Sequence, residues 1–147
     1  MTSSRLPASV LFCCTLNAIR SPMAEGALKK LHGTEIYVDS AGSQGTDAPD
    51  GFMIEVMREI GIDMSRHHPK SFARLHDGSF DLIIALSPEA HAHAREITRA
   101  TATEVRFWET ADPSLAEGSR ERRLNAYRET RDQLIRRIQA AFPPVAA

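Results

Sequence analysis

Four short apolar runs, Ser9 to Cys13, Glu35 to Ser40, Asp81 to Leu86 and Glu104 to Trp108, are separated by stretches whose apolar residues recur at helical spacing. Short, nearly continuous apolar runs suit strands covered on both faces, the condition of a parallel sheet. Pro22 to Leu31 carries Ala24, Ala27, Leu28 and Leu31 on one helical face, and Gly51 to Ile60 carries Phe52, Ile54, Val56, Met57 and Ile60. Further helices are expected over Glu89 to Arg99, behind Pro88, and over about Glu117 to Phe142, where Leu124, Tyr127, Leu134, Ile135 and Ile138 form an apolar stripe. Strand and helix therefore alternate, which predicts an α/β fold. The expected form is a three-layer sandwich around a four-stranded parallel sheet with right-handed crossovers. Gly42 to Gly51 and His67 to Gly78 read as the main loops.

A chain of 147 residues with 42% hydrophobic and 25% charged residues is expected to form one domain over 1–147, with 1–7 and 143–147 as frayed ends. A net charge of -1 with interspersed signs gives no basis for nucleic-acid or membrane binding, so neither partner is expected. No apolar run approaches the ~20 residues that span a bilayer, and no leader pattern opens the chain, so a cytoplasmic location is expected. The two cysteines, Cys13 and Cys14, are adjacent and could close only a strained vicinal ring.

The first strand runs directly into Cys14-Thr-Leu-Asn-Ala-Ile-Arg20-Ser21-Pro22, a C-x5-R-S run. Five residues can curl their backbone N–H groups around a tetrahedral oxyanion, with a thiol beneath and a guanidinium closing the ring. Thr15, Leu16, Asn17, Ala18 and Ile19 are thus the candidate phosphate cradle. The run sits at the carboxyl end of a strand, where open α/β sheets hold ligands. Ser21 is expected to N-cap the following helix and Pro22 to occupy its first turn, so that the helix end faces the anion. That field and Arg20 favour thiolate at Cys14, and Arg20 can grip two equatorial phosphate oxygens. Asn17 tolerates left-handed dihedrals, which suits a tight loop. Cys13 alternates away from Cys14 and reads as a small core residue.

These residues resemble the low-molecular-weight protein-tyrosine phosphatases, whose phosphatase-I-like fold also houses thioredoxin-linked arsenate reductases. The resemblance rests on Val10 to Glu25 (VLFCCTLNAIRSPMAE), Val38 to Gly42 (VDSAG), Glu55 to Lys70 (EVMREIGIDMSRHHPK), Asp81 to Leu86, and Asp112-Pro113. It implies a phosphomonoester hydrolase: Cys14 attacks phosphorus to form a phosphocysteine, and Asp112 protonates the leaving oxygen, then deprotonates the hydrolytic water. It further implies that Ser21 hydrogen-bonds the thiolate, and that Asn17, Ser40 and His67 hold the loop's shape. The implied substrates are a phosphorylated protein, phosphotyrosine above all, or a small phosphomonoester, with phosphate-like oxyanions as ligands. No cofactor and no metal is expected, because Arg20, the loop N–H groups and the helix end already neutralise phosphate charge; His68, His91 and His93 read as solvated.

The chain also departs from the family pattern. Leu16 replaces the usual loop glycine, so its side chain either points over the pocket mouth or changes the backbone. Ile19 stands where many members carry a second, protective cysteine. Ser114-Leu115 follows Asp112-Pro113 without the aromatic pair that usually flanks a phosphotyrosine ring, and Gly42 to Pro49 lacks an aromatic wall. Two other functions fit the same loop. One is arsenate reduction, restricted to an external thiol because Ser87 to Arg95 contains no resolving cysteine. The other is a module that binds phosphate or a phosphoprotein without turnover.

Overall fold

A computed structural model describes residues 6–75 and 79–144. The tips of both expected frayed ends and the end of the His67 to Gly78 loop lie outside the described residues. Four strands, β1 (Ser9–Cys14), β2 (Tyr37–Gly42), β3 (Leu82–Ala85) and β4 (Glu104–Phe107), form one all-parallel sheet in the order β2-β1-β3-β4. They alternate with helices α1 (Arg20–His32), α2 (Gly51–Arg58), α3 (Pro88–Ile97) and α4 (Arg120–Ala141).

The alternation of side chains along a strand divides the core into two layers. Val10, Phe12 and Cys14 of β1, with Leu82 and Ile84 of β3, pack against Met23, Leu28, Leu124, Tyr127 and Ile138 of α1 and α4. Leu11, Cys13, Ile83 and Ala85 point the other way, onto Ala90 and Ala94 of α3. Large apolar side chains thus fill one face, and small alanines let α3 lie close on the other. Leu6, inside the expected frayed end 1–7, packs against the first layer, and Phe142, just before 143–147, is buried in it.

The strand and helix limits move for identifiable reasons. β2 starts two residues late because the N–H groups of Glu35 and Ile36 both donate to the His32 carbonyl, prolonging the turn after α1. β4 is an edge strand with Glu104, Arg106 and Phe107 exposed, not a strand covered on both faces, and Arg106 and Glu104 pair along its solvent side. Residues Glu117 to Ser119 lie outside α4; Asp112 caps a 3-10 turn at Pro113–Leu115, Gly118 takes φ 112°, and the Ser119 hydroxyl caps α4 at the Arg122 N–H. Thr98 ends α3. Among the described residues no helix is long and apolar enough to cross a membrane.

One ion cluster ties α2 to α4. Arg128 donates to both oxygens of Glu59, and Arg131 donates to Glu59 Oε1 (2.8 Å) and to the Val56 carbonyl (2.7 Å). The Arg128 hydrogen bonds, with those of Arg131 behind them, hold the Glu59 carboxyl down at about 2. A depressed carboxyl stabilises the fold above its unfolded value of about 4.3 and loses that contribution as pH falls through the folded value. The melting-temperature gap between the parent and Glu59→Gln should therefore be constant from about pH 7 to 5 and shrink steadily towards pH 2. A gap that does not change with pH removes the ionised pair from the account.

Candidate active site

The C-x5-R run leaves the end of β1 and closes on the first turn of α1. The carbonyls of Cys14, Thr15 and Ala18 accept from the N–H groups of Ser43, Gln44 and Asp50 (2.9, 2.9 and 3.1 Å), and the Asn17 carbonyl accepts from His67 Nε2 (3.0 Å). In a trans peptide the following N–H points opposite to the carbonyl, so four outward carbonyls turn the N–H groups of Thr15, Leu16, Ala18 and Ile19 into the hollow. Asn17 supplies the required reversal with φ 60°. Gly42 is fixed by the same closeness: a Cβ there would stand 2.5 Å from the Gln44 carbonyl oxygen and 2.8 Å from that of Thr15.

Beneath the loop lies a chain of hydrogen bonds with a definite direction. The Asn17 amide donates to the hydroxyls of Ser21 (2.8 Å) and Ser40 (2.9 Å). With their oxygens so occupied, the Ser40 hydroxyl donates to Glu25 Oε1 (2.5 Å), and the Ser21 hydroxyl is free to donate to Cys14 Sγ at 2.9 Å. The Ser21 N–H also points at the sulfur, at 3.4 Å. Ser21 is therefore not the N-cap of α1. That place is taken by Ile19, which offers no side-chain cap, and the Ser21 hydroxyl is spent on the thiol. Lys70 N–H closes the set by donating to Asn17 Oδ1 (3.0 Å).

Burial holds the His67 imidazole below its usual value, against the opposing pull of the Asn17 carbonyl and Glu25. The neutral ring then carries its hydrogen on Nε2, and its Nδ1 lies 3.9 Å from Glu25 Oε1, too far for a hydrogen bond. Glu25 itself, buried and joined to Lys29 at 2.6 Å, had no sequence signal. An i,i+4 Glu–Lys pair ordinarily marks a solvated helix face.

A cavity of about 550 Å³ opens above the loop, lined by Cys14, Arg20 and Asp112 together with Leu16 and Leu115. Asp112, distant in sequence, is thus brought to the Cys14–Arg20 loop by the fold. Its Oδ1 accepts from the N–H (2.9 Å) and hydroxyl (2.7 Å) of Ser114, which orients the carboxyl and leaves Oδ2 without a hydrogen-bond partner among the described residues. Arg20 Nη1 donates to the Thr110 carbonyl (2.9 Å), joining the loop to the segment that carries Asp112. Leu16 points outward, 43% exposed, so the residue that replaces glycine walls the mouth and does not fill the hollow. Asp50 caps α2 with Oδ1 and accepts from the Tyr127 hydroxyl (3.1 Å) with Oδ2. Burial and the Asp50 charge push that phenol up, so it remains a donor. Among the other histidines, His68 is exposed, and His91 and His93 are partly exposed while also making ring contacts, His91 stacked on Phe107 (4.6 Å) and His93 packed on Phe72 (4.4 Å).

Cys13 lies on the opposite face of β1 from Cys14, and burial, reinforced by the neighbouring Cys14, pushes its thiol far above the ordinary range. A 13–14 bridge would have to turn one side chain through the sheet. Excess peroxide should therefore carry Cys14 past sulfenic acid to the sulfinic state, with little activity restored by dithiothreitol. Near-complete recovery, with no 13–14 bridge by mass spectrometry, would sink this.

Comparison with known proteins agrees with this geometry. A family model described as low molecular weight phosphotyrosine protein phosphatase matches residues 9–142. An arsenate reductase of Halalkalibacterium halodurans is 34% identical over 132 residues, covering 88% of this chain and 91% of that protein. The tyrosine phosphatase amsI of Erwinia amylovora shares the fold, with a TM-score of 0.74 at 19% identity over 97% of this chain and 95% of its own. An arsenate reductase solved in its phosphate-binding state superposes with a TM-score of 0.70 at 26% identity, over 91% of this chain and 95% of that one. The chain belongs to the low molecular weight phosphotyrosine protein phosphatase family.

Proposed function

We propose that this cysteine-based enzyme is a phosphomonoester hydrolase that works through a phosphocysteine, with Cys14, Arg20 and Asp112 as catalytic residues and phosphotyrosine of a protein as its substrate class. The observation that carries the reading is the Cys14 sulfur, held by Ser21 at the base of a cup of inward N–H groups, in a cavity that Asp112 also lines. In the first step the S–P bond forms and the P–O bond to the leaving group breaks; the departing oxygen keeps the electron pair and takes a proton from Asp112. In the second step a water oxygen attacks phosphorus and gives its proton to Asp112. The S–P bond then breaks with its pair returning to Cys14, and phosphate leaves. The loop N–H groups and Arg20 meet the charge on the equatorial oxygens in both steps. Ser40, Asn17 and His67 act at one remove, by holding the loop. Rapid-mixing hydrolysis of p-nitrophenyl phosphate tests this: a burst of nitrophenol ahead of phosphate is expected, and its absence alongside absent turnover overturns the assignment.

A second reading is favoured by the 34% identity to an arsenate reductase. Cys14 would add to arsenate with loss of water, an external thiol would attack Cys14 Sγ, and arsenite would leave with the As–S electron pair. A second external thiol would then release Cys14 as the disulfide of the thiol forms. External thiols are required because the chain's other cysteine is buried on the far face of the sheet. Arsenate-dependent oxidation of a supplied low-molecular-weight thiol, without p-nitrophenyl phosphate turnover, would replace the phosphatase assignment by this one.

A further inference from the structure

The walls of the cavity change character with height. At its floor the loop N–H groups and Arg20 are electropositive. Above them stand the aliphatic side chains of Leu16 and Leu115, 43% and 76% exposed. Two exposed carboxylates, Glu89 and Glu109, line the same cavity. Glu89 belongs to the first turn of α3, and its Oε1 lies 3.3 Å from the Thr15 hydroxyl, whose one proton it shares with the Ser87 hydroxyl at 3.2 Å, which sets it beside the nucleophile loop. Glu109 precedes Thr110, whose carbonyl holds Arg20 at 2.9 Å, so its backbone is fixed to the floor of the same cavity.

Among the described residues no cation other than Arg20 lines the cavity. Two arginines at the start of α4, Arg120 and Arg123, lie over the Phe52 ring, at 5.6 and 4.9 Å from its centroid, and do not line the cavity. A phosphorylated residue seated on the loop therefore has its neighbours in a peptide pass two lining carboxylates, with no further cation among the described lining residues to receive an acidic side chain.

We infer that Glu89 and Glu109 are specificity residues that select a phosphopeptide carrying lysine or arginine beside the phosphorylated residue and reject one flanked by acids; this rests on the phosphatase reading above. Acidic flanks would bring like charges together at the cavity, whereas basic flanks would pair with them. Each exposed pair is worth only a few-fold, so two together give a preference of roughly tenfold in kcat/KM at low salt. The aliphatic walls accept the phosphorylated side chain without the ring stacking that would make one residue type dominate the selection.

The test compares two phosphotyrosine peptides of equal length, one with lysines and one with glutamates on both sides, against the parent, Glu89→Gln, Glu109→Gln and the double variant. Glutamine preserves the acceptor for Thr15 while removing charge. The readout is the ratio of kcat/KM for the two peptides within each protein, so a change in folding or in the chemical step cancels. The parent is expected to favour the basic peptide about tenfold at low ionic strength, and the double variant and roughly 0.5 M salt should each bring the ratio to within about twofold of unity. A parent that hydrolyses p-nitrophenyl phosphate but treats the peptides alike, or favours the acidic one, overturns the inference alone. A parent that hydrolyses none of the three overturns the phosphatase reading and this inference with it.

Discussion

Cys14→Ser is expected to lower turnover of p-nitrophenyl phosphate by on the order of 10⁴-fold or more, while phosphate or sulfate binding holds or tightens. The two halves of the result come from different parts of the loop. Turnover needs a sulfur that attacks phosphorus and later leaves it, and an alcohol in the same place is a poor nucleophile at neutral pH and a poor leaving group afterwards. On the proposed reading, oxyanion binding depends on the inward N–H groups of Thr15, Leu16, Ala18 and Ile19, on the end of α1 and on Arg20, and the substitution touches none of these. The serine hydroxyl can still bond Ser21, so the network through Asn17, Ser40 and Glu25 keeps its shape. Calorimetric titration of phosphate into parent and variant, beside the rate measurement, separates the two halves. Residual activity within tenfold of the parent would remove Cys14 from the chemistry. Loss of binding along with activity would mean that the thiol organises the loop.

Much of this arrangement can be read from the chain because its signals are local. A short apolar run followed by C-x5-R and a helix fixes where the loop lies in a parallel sheet, and the alternation of strand and helix fixes the layers. What stayed hidden depends on contacts between segments far apart in sequence. Ser21 before Pro22 has the form of a helix cap, and only the packing of β1 against α1 reveals that its hydroxyl serves Cys14 instead. Glu25 pairs with Lys29 like a surface residue, yet β2 brings Ser40 onto its other oxygen and buries it. The Glu104 to Trp108 run reads as a strand, but Glu104 and Arg106 alternate with its apolar residues, a pattern that suits the sheet edge where it lies and not a strand covered on both faces. The two lining carboxylates escaped because Glu89 and Glu109 are unremarkable until α3 and the end of β4 converge at the cavity.

Asp112→Ala and Asp112→Asn should each slow hydrolysis of phenyl phosphate by roughly the 10²- to 10⁴-fold that general acid catalysis contributes, and slow p-nitrophenyl phosphate by less. The dependence on leaving group distinguishes proton donation from a structural role. Phenolate needs a proton as the P–O bond breaks, whereas nitrophenolate leaves readily without one, so a missing acid costs more for the first. Asp112 also caps the turn at Pro113–Leu115 through Oδ1, and alanine would lose that cap. Asparagine keeps a carbonyl oxygen to accept from the Ser114 N–H, so the loop holds while the transferable proton is gone. Ser114→Ala provides the converse, disturbing the cap while sparing the acid, and its effect should be small and equal for the two substrates. If Asp112→Asn behaves like Ser114→Ala, the carboxyl is a turn cap near the cavity and the leaving oxygen is protonated by another group. If both Asp112 variants show the large leaving-group dependence and Ser114→Ala does not, the unpartnered Oδ2 is the atom that delivers the proton, because the other oxygen is engaged by Ser114.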